Sequence, residues 1–238
     1  MIFIEDLTVR FGGVVSLDAM TAQFPEGTCG LIGPNGAGKT TFFNVMSGFV
    51  TPASGRVVID GTNILAMPDF RRARWGLRRT FQTEQAIETL TVFENVATVY
   101  EHSGSGSRAN RKTAVMDALD FVGLTAVAHD KVRTLRAKER RFIEVARAVV
   151  GSPKVVMLDE PAAGLPDEET AELRAIIRGI PGRTGATVIL VDHDMELVQA
   201  CCDFTAVLDF GSLLASGPTA EVLRNERVMQ AYLGVEDV

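Results

Sequence analysis

The stretch that most constrains the fold is "GPNGAGKTT", residues 33–41, which lies between the apolar run "CGLI" and the apolar segment "FFNVMSGF". It fits the pattern G-x-x-x-x-G-K-[ST], a phosphate-binding loop that connects a strand to a helix. The glycines allow a tight turn in which successive backbone N–H groups surround phosphate oxygens, and the helix that starts near Lys39 adds its positive N-terminal end. The alternative is a glycine turn that contains Gly-Lys-Thr by coincidence, which the flanking strand and helix patterns disfavour.

Individual residues of this loop have defined chemistry. Lys39 is expected to reach the β- and γ-phosphates of a nucleoside triphosphate, and the Thr40 hydroxyl is expected to ligate Mg²⁺. The candidate nucleotide-binding residues of the loop are Gly33, Asn35, Gly36, Ala37, Gly38, Lys39, Thr40 and Thr41. By itself the loop predicts nucleotide binding, because hydrolysis needs further groups.

Two acidic side chains, Asp159 and Glu160, follow the buried-strand pattern "VVML". Ligands gather at the carboxyl ends of strands in open α/β sheets. We expect Asp159 to support the Mg²⁺ shell there, and Glu160 to polarise the attacking water. Paired acids after a strand also start loops or cap helices, but together with the phosphate loop they predict a hydrolase.

One of the three histidines is a candidate for catalysis. His193 follows the next buried-strand pattern, "VILV", whose strand is expected to lie beside the strand that carries Glu160. In that position His193 would hold the γ-phosphate and the water in register. His102 and His129 are interpreted as structural.

The succession of patterns predicts one α/β domain with a helical insertion. Residues 1–82 contain short strands separated by glycine turns, residues 83–150 are helical, and residues 151–238 return to buried strands. In the last part, a helix joins two buried strands into a βαβ crossover. We therefore expect residues 1–82 and 151–238 to form a nucleotide-binding core with an antiparallel β subdomain, and residues 83–150 to form an inserted helical subdomain.

Local signals predict several element boundaries. Thr91 and Glu94 have the spacing of a capping box, which marks the start of a helix. The polar residues 103–110 predict an exposed loop. A helix that contains Phe142 is expected to end before Gly151, and a final helix is expected near the C-terminus, in "AEVLRNERVMQAYLG".

Composition narrows the class of protein. The net charge of -6 argues against nonspecific nucleic-acid binding, which favours a basic surface. The three cysteines, two of them adjacent, indicate no disulfide framework, so a reducing cytosol is expected. The first residues lack the basic start and apolar run of a signal peptide, and no apolar stretch approaches the ~20 residues that cross a bilayer.

Together these motifs resemble the ATP-binding cassette family over essentially the whole chain. In this resemblance "GPNGAGKTT" is the Walker A motif, "VVMLDEP" the Walker B motif, "RTFQ" the Q-loop and "VDHD" the switch histidine. The family has a RecA-like core, and the resemblance implies that the nucleotide is ATP. It also implies that Gln82 senses Mg²⁺ and the γ-phosphate, and that Phe11 stacks on adenine. For Phe11 a core or hairpin aromatic remains the alternative.

Shorter segments resemble the ATPase subunits of branched-chain amino acid uptake systems, and related importers of urea or other amides share several of them. These segments are "RRARWGLRRTFQ", "LTVFENV", "DEPAAGL", "HDMELV" and "AYLG". Such ATPases dock on two transmembrane permease subunits through the helical subdomain near the Q-loop. The resemblance thus implies a peripheral protein at the cytoplasmic face of the inner membrane. A substrate-binding protein and the permeases, rather than the ATPase, select the substrate.

One segment departs from the family. Opposite the family's Leu-Ser-Gly-Gly-Gln signature this chain has Leu135, Arg136, Ala137, Lys138 and Glu139, so only the leucine is retained. In the family the signature faces the γ-phosphate held by the other ATPase subunit. The side chains of Arg136 and Lys138 add bulk there, although they also add positive charge. Losing one preorganised donor in a charged transition state costs on the order of a hundred- to a thousandfold in rate.

A second departure, Pro166-Asp167 in place of Asp-Pro or Asn-Pro, falls in a loop that crosses the family's dimer interface. Three hypotheses follow: pairing with a different ATPase subunit, which we favour, a weakly active homodimer, or an ATP-driven dimerisation module with little hydrolysis. The presence of Glu160 argues against the third. Soluble cassette ATPases of DNA repair, chromosome organisation or translation form the competing class, which the acidic balance and the single cassette disfavour.

Overall fold

The computed structural model describes residues 1–104 and 107–233, and the chain divides into two compact units. The first unit comprises Met1–Arg72 and Ile189–Val238, and the second comprises Ala73–Val188. The predicted division into a core and a helical subdomain stays a prediction. Ser105 and Gly106 of the predicted loop, and Gly234 of the predicted last helix, lie outside the described residues.

The strands, in chain order, are β1 (Ile2–Phe11), β2 (Val14–Phe24), β3 (Thr28–Ile32), β4 (Ser54–Ile59), β5 (Thr62–Asn63), β6 (Leu77–Arg79), β7 (Val155–Asp159), β8 (Thr187–Val191), β9 (Phe204–Asp209) and β10 (Ser212–Pro218). The α-helices are α1 (Lys39–Ser47), α2 (Asp69–Trp75), α3 (Val92–His102), α4 (Arg111–Phe121), α5 (Ala137–Val149), α6 (Asp167–Thr184), α7 (Met195–Cys201), α8 (Thr219–Val222) and α9 (Glu226–Leu233). The boundaries between the units fall within α2 and β8. Within residues 1–104 and 107–233, no helix combines the length and the apolar character that crossing a membrane requires.

The first unit contains two sets of paired strands. One is an antiparallel sheet in the order β2-β1-β4-β5, in which Ile2 of β1 lies opposite Phe24 on one side and Ile59 on the other. In the other set β3 pairs with β9 in parallel, and β9 pairs with β10 antiparallel. Every residue of β3 is buried, as expected for a strand that leads into a phosphate loop.

Helix α1 is anchored by aromatic side chains. Phe42 and Phe43 are completely buried, and the ring of Phe42 stacks on that of Phe24 with centroids 6.0 Å apart. Burial of a side chain of this size contributes roughly 1.5–3 kcal/mol. The apolar residues that follow the phosphate loop therefore fix the position of the helix, and with it the end of the loop.

A buried arginine, Arg72, closes the C-terminal end of α1. Its Nη1 donates to the carbonyl oxygens of Val45 and Met46, at 3.0 Å from the latter, and its Nε donates to that of Met67 at 2.8 Å. The Val45 carbonyl also accepts from the N–H of Gly48 at 3.1 Å, so Arg72 adds a second donor there and supplies a donor to the carbonyl of Met46 in the last turn. A cation is also favourable here because the helix dipole places negative potential at the C-terminal end.

The second unit combines a parallel strand pair with packed helices. In the pair, Leu77 of β6 lies opposite Val155 of β7, and Arg79 lies opposite Met157. Helices α3, α4 and α5 contact one another. Helix α6 connects β7 to β8, which confirms the helix predicted between the two buried strands.

Two boundaries agree with the sequence analysis. Thr91 caps α3: its Oγ1 accepts from the N–H of Glu94 at 3.1 Å, and the Glu94 carboxylate accepts from the N–H of Thr91 at 2.7 Å. This reciprocal pair is the predicted capping box. Helix α5 ends at Val149, before Gly151, also as predicted.

The prediction of one continuous final helix is wrong. The segment contains two short helices, α8 and α9, separated by residues 223–225. The side chain of Asn225 accepts a hydrogen bond from the N–H of Arg227 at 3.0 Å. Asparagine favours this arrangement at the start of a helix, so it interrupts the apolar periodicity that suggested a single element.

We predict that Arg72→Met lowers the free energy of unfolding by about 2–4 kcal/mol, because methionine keeps most of the apolar volume but removes the buried donors to the carbonyls of Val45, Met46 and Met67. Urea unfolding measures this change. The matched control is Arg71→Met at an exposed position of the same helix, where a change below about 0.5 kcal/mol is expected. Equal effects of the two substitutions would contradict a capping role for Arg72.

Candidate functional site

The loop between β3 and α1 is shaped by positions that have no room for a side chain. Gly33 and Gly38 have φ angles of 152° and 103°, a region that residues with a Cβ rarely adopt. A Cβ at Gly33 would lie 2.2 Å from the carbonyl oxygen of Leu208, and one at Gly38 would lie 2.7 Å from that of Ser16. The predicted glycine loop is therefore enclosed by backbone from β9 and β2.

The remaining groups of the loop form a cradle that suits a phosphate. Lys39 is buried, and its Nζ donates to the carbonyl oxygens of Gly33 and Pro34, at 2.9 Å from the latter, so it lies across the loop. The N-cap residue of α1 is a glycine without a side-chain cap. The start of the helix thus directs backbone N–H groups and positive potential towards an anion.

The other loop residues differ in exposure. Asn35, Gly36 and Thr40 are exposed, whereas Ala37 is buried. The Thr41 hydroxyl is 2.7 Å from that of Ser16. The Thr40 hydroxyl is therefore the one that is accessible for a metal ion, and that of Thr41 connects α1 to β2.

Two further candidates lie in the first unit. Phe11 is the last residue of β1, before a glycine turn, and is 52% exposed, so it is an aromatic side chain of a hairpin and not of the core. His193 is exposed and lies two residues after the end of β8. The next residue, Asp194, is the N-cap residue of α7, and its carboxylate caps this helix by accepting from the N–H groups of Glu196 and Leu197.

The acidic pair lies in the second unit, at the end of β7. Asp159 is buried, and its N–H donates to the Thr80 hydroxyl at 3.1 Å. Glu160 follows with a φ of 47°, a left-handed conformation that is uncommon for residues other than glycine. The Glu160 carboxylate accepts a hydrogen bond of 2.6 Å from Nε2 of Gln82. The structure thus brings together two residues that the sequence analysis assigned to separate motifs.

Arg79 is a residue that the sequence analysis missed. Its Nη2 lies 2.7 Å from Oδ2 of Asp159, and both side chains are almost completely buried. Its guanidinium also lies over the ring of Phe81, 4.9 Å from the centroid. The sequence has two adjacent arginines, Arg78 and Arg79, before "TFQ", and spacing alone does not connect either of them to an aspartate about 80 positions away.

The altered signature residues lie at the start of α5. Leu135 precedes the helix and Arg136 is its N-cap residue. The Glu139 carboxylate accepts from the backbone N–H of Arg136 at 2.7 Å and from its guanidinium Nη2 at 2.6 Å. The hydrogen bond from the Arg136 side chain lowers the pKa of Glu139, so this carboxylate is charged at neutral pH.

Lys138 also has an acidic partner. Its Nζ lies 2.6 Å from Oε2 of Glu172 in α6, and 5.5 Å from the ring centroid of Phe142. Ala137, between the two cations, is exposed. Both positive charges of the altered segment are therefore paired within the second unit, whereas the sequence analysis counted them as charge that could act on a phosphate.

Two buried residues of α5 hold the segment around Gln82. Arg141 donates to the carbonyl oxygens of Gln82 at 3.4 Å and Ala163 at 3.3 Å. Glu144 accepts from the N–H of Gln85 at 3.1 Å, and burial raises the pKa of this glutamate. The sequence analysis predicted the helix that contains Phe142 but not these polar contacts.

Comparisons with known proteins agree with this geometry. A family model described as "ABC transporter" matches residues 17–163, and one described as "Branched-chain amino acid ATP-binding cassette transporter" matches residues 212–238. The high-affinity branched-chain amino acid transport ATP-binding protein BraF of Pseudomonas aeruginosa is 35% identical, with 97% of this chain and 96% of BraF covered. LivG of Escherichia coli, which carries the same description, is 34% identical, with 98% of each chain covered. The crystal structure of the ADP conformation of MJ1267, an ATP-binding cassette of an ABC transporter, superposes with a TM-score of 0.86 at 25% identity over 98% of each chain.

We predict that Gly33→Ala weakens nucleotide binding at least about tenfold, since a loss of about 1.4 kcal/mol in phosphate contacts is sufficient. The added methyl group requires the loop or β9 to move. Calorimetric titration with ADP measures the affinity. Gly13→Ala, at a position with no atom within 4 Å of an added Cβ, is the control and should bind as the parent does. Unchanged affinity of Gly33→Ala would contradict the proposed cradle.

Proposed function

Because the chain belongs to the ABC transporter family and is an ATPase of that family, we propose that it powers the uptake of branched-chain amino acids or of related amino acids and amides. The support is twofold. The relatives named above are described as branched-chain amino acid transport proteins, and the family model for the C-terminal segment has the same substrate class in its description. The direction of transport and the substrate thus rest on these relatives.

The observation that carries the proposal is the phosphate cradle of residues 33–41 in a chain that also holds an acidic pair at the end of β7. In this proposal Gly33–Thr41 bind the phosphates of ATP, and Phe11 stacks on the adenine. Mg²⁺, when bound, neutralises charge on the β- and γ-phosphates. Thr40, Gln82 and Asp159 would hold it, because hydroxyl, amide and carboxylate oxygens are the hard ligands that this ion prefers.

The proposed chemistry is attack of water on the γ-phosphate. Glu160 accepts a hydrogen bond from that water and makes it more nucleophilic. The Gln82 amide donates to the same carboxylate, which fixes its orientation. His193 would hold the water and the γ-phosphate in register.

We further propose that the chain pairs with a different ATPase subunit. In the family the signature gives its contacts to the nucleotide of the partner subunit. Here Glu139 occupies the N–H of Arg136 and places a negative charge at the start of α5, where a phosphate would need donors. Lys138 is held by Glu172. The chain therefore offers its partner a poor phosphate contact, and a partner with an intact signature would complete the site on this chain.

The second departure from the family, Pro166-Asp167, also supports pairing with a different ATPase subunit. Pro166 is the N-cap residue of α6 and provides no side-chain cap, and the first turn of this helix contains Asp167, Glu168 and Glu169. The remaining proposed partners are two transmembrane permease subunits and, indirectly, a substrate-binding protein. In that assembly the chain is peripheral, at the cytoplasmic face of the inner membrane.

We predict that Glu160→Gln lowers the rate of ATP hydrolysis by at least about 100-fold, because general-base catalysis typically contributes 10²–10⁴-fold. Binding of ATP should change by less than about threefold, since Glu160 acts on the water. Steady-state phosphate release by the complex with its partner subunits measures the rate, and calorimetry measures binding. Glu26→Gln, an exposed change of the same kind, should leave both unchanged. Hydrolysis by Glu160→Gln at the rate of this control would disprove the assignment.

A second prediction concerns the partner. The purified chain alone should hydrolyse ATP slowly, and a triple variant with Arg136→Ser, Ala137→Gly and Lys138→Gly should stay within about threefold of it. We expect no larger change because the chain is proposed to pair with a different subunit and not with itself, so its restored signature would have no partner nucleotide to contact. Thermal unfolding should first show that the variant is folded. A gain of tenfold or more in the triple variant would mean that the chain pairs with itself and that the altered signature limits the rate.

A further inference from the structure

The pair formed by Arg79 and Asp159 is unusual for its position. Asp159 is the carboxylate that the proposed function assigns to Mg²⁺, yet a permanently charged guanidinium lies 2.7 Å from one of its oxygens. Arginine stays protonated at any physiological pH. The carboxylate therefore already has a cationic partner that belongs to the chain.

Several contacts hold this pair in place. The Phe81 ring lies against the guanidinium of Arg79. The N–H of Asp159 donates to the Thr80 hydroxyl, and the N–H of Thr80 donates to the carbonyl oxygen of Met157 at 2.9 Å. The strand segments that carry the two charges are thus bonded to each other directly beside the ion pair.

Burial makes the pair strong enough to matter for a metal ion. The side chains of Arg79 and Asp159 are 6% and 8% exposed, so water and salt screen the charges little. A unit charge a few ångströms from a metal site changes the affinity of that site for a divalent cation by about an order of magnitude or more. This holds even at an effective dielectric constant of about 20. An arginine here is expected to oppose a metal ion that uses the same carboxylate.

We propose that Arg79 is a tethered counter-cation of Asp159 that competes with Mg²⁺ for this carboxylate, and so sets the Mg²⁺ concentration at which the chain binds ATP. This inference rests on the proposed function, because it requires that Asp159 serves Mg²⁺-dependent ATP binding. Arg79 is a positioning residue in this account: it acts on the metal through Asp159.

The test uses Arg79→Gln, which removes the charge and keeps a hydrogen-bond donor for Asp159. A fluorescent ATP analogue is titrated with Mg²⁺, and the midpoint of the Mg²⁺ dependence is measured at fixed nucleotide, without hydrolysis. We expect the midpoint of Arg79→Gln to fall about tenfold relative to the parent. Arg79→Lys, which keeps a charge but loses the planar fork of donors, should give an intermediate fall of about threefold.

The matched control is Arg78→Gln. Arg78 is buried in the same strand and donates to the backbone carbonyl groups of Ala73 and Leu77, and not to Asp159. This variant should lose thermal stability, but its Mg²⁺ midpoint should equal that of the parent. It therefore separates loss of a buried charge from loss of the contact with Asp159.

An unchanged or higher midpoint in Arg79→Gln overturns the inference. Should Arg79→Gln fail to fold, an unchanged or higher midpoint in Arg79→Lys overturns it as well. Failure of the proposed function looks different: neither the parent nor Arg78→Gln would bind the ATP analogue at any Mg²⁺ concentration. If the parent binds the analogue and all variants have the same Mg²⁺ midpoint, the proposed function is retained and the role of Arg79 is disproved.

Discussion

The structure depends on a steric constraint at the end of β3, where the chain must pass from a buried strand into a buried helix within a few residues. At Gly33 and Gly38 there is room for a hydrogen atom only, because carbonyl oxygens from β9 and β2 close the space. The loop takes its shape from these two strands, which are distant in sequence. Phe42 and Phe43 then fix α1 from one side and Arg72 closes its far end. The enclosure and these contacts together hold both ends of the phosphate cradle.

In the second unit, one short segment serves both carboxylates at the end of β7. Arg79 holds Asp159 and Gln82 holds Glu160, so the two acids are supported by residues only three positions apart. Arg141 and Glu144 bind the backbone of the same segment from α5, the helix that begins with the altered signature. A displacement of this segment would change the contacts of both acids at once. The arrangement gives a physical route by which the start of α5 and the acidic pair can influence each other.

The sequence predicted those parts of the site that are encoded locally. The glycine loop, the strand that ends in Asp159, the capping box at Thr91 and the end of α5 all depend on residues within a few positions of one another, and all are found in the structure. The contacts of Arg79 and Lys138 could not be predicted, because their partners are distant in sequence. Asp159 is 80 positions from Arg79, and Glu172 is 34 positions from Lys138. The prediction of a single final helix was wrong for a local reason. It followed the helical periodicity of the apolar residues and ignored the preference of Asn225 for the start of a helix.

The left-handed backbone at Glu160 has a consequence for anyone who engineers this chain. Glycine or asparagine would relax a conformation of this kind, and a procedure that ranks substitutions by thermodynamic stability will select them at position 160. The same change would delete the carboxylate on which turnover is proposed to depend. A thermostable derivative has to be obtained elsewhere, at caps, surface charges and loop positions, while the strained glutamate is left in place. The same backbone conformation occurs at Asp6, Ala19, Asp60 and Phe210, where a change to glycine or asparagine would leave the proposed chemistry intact.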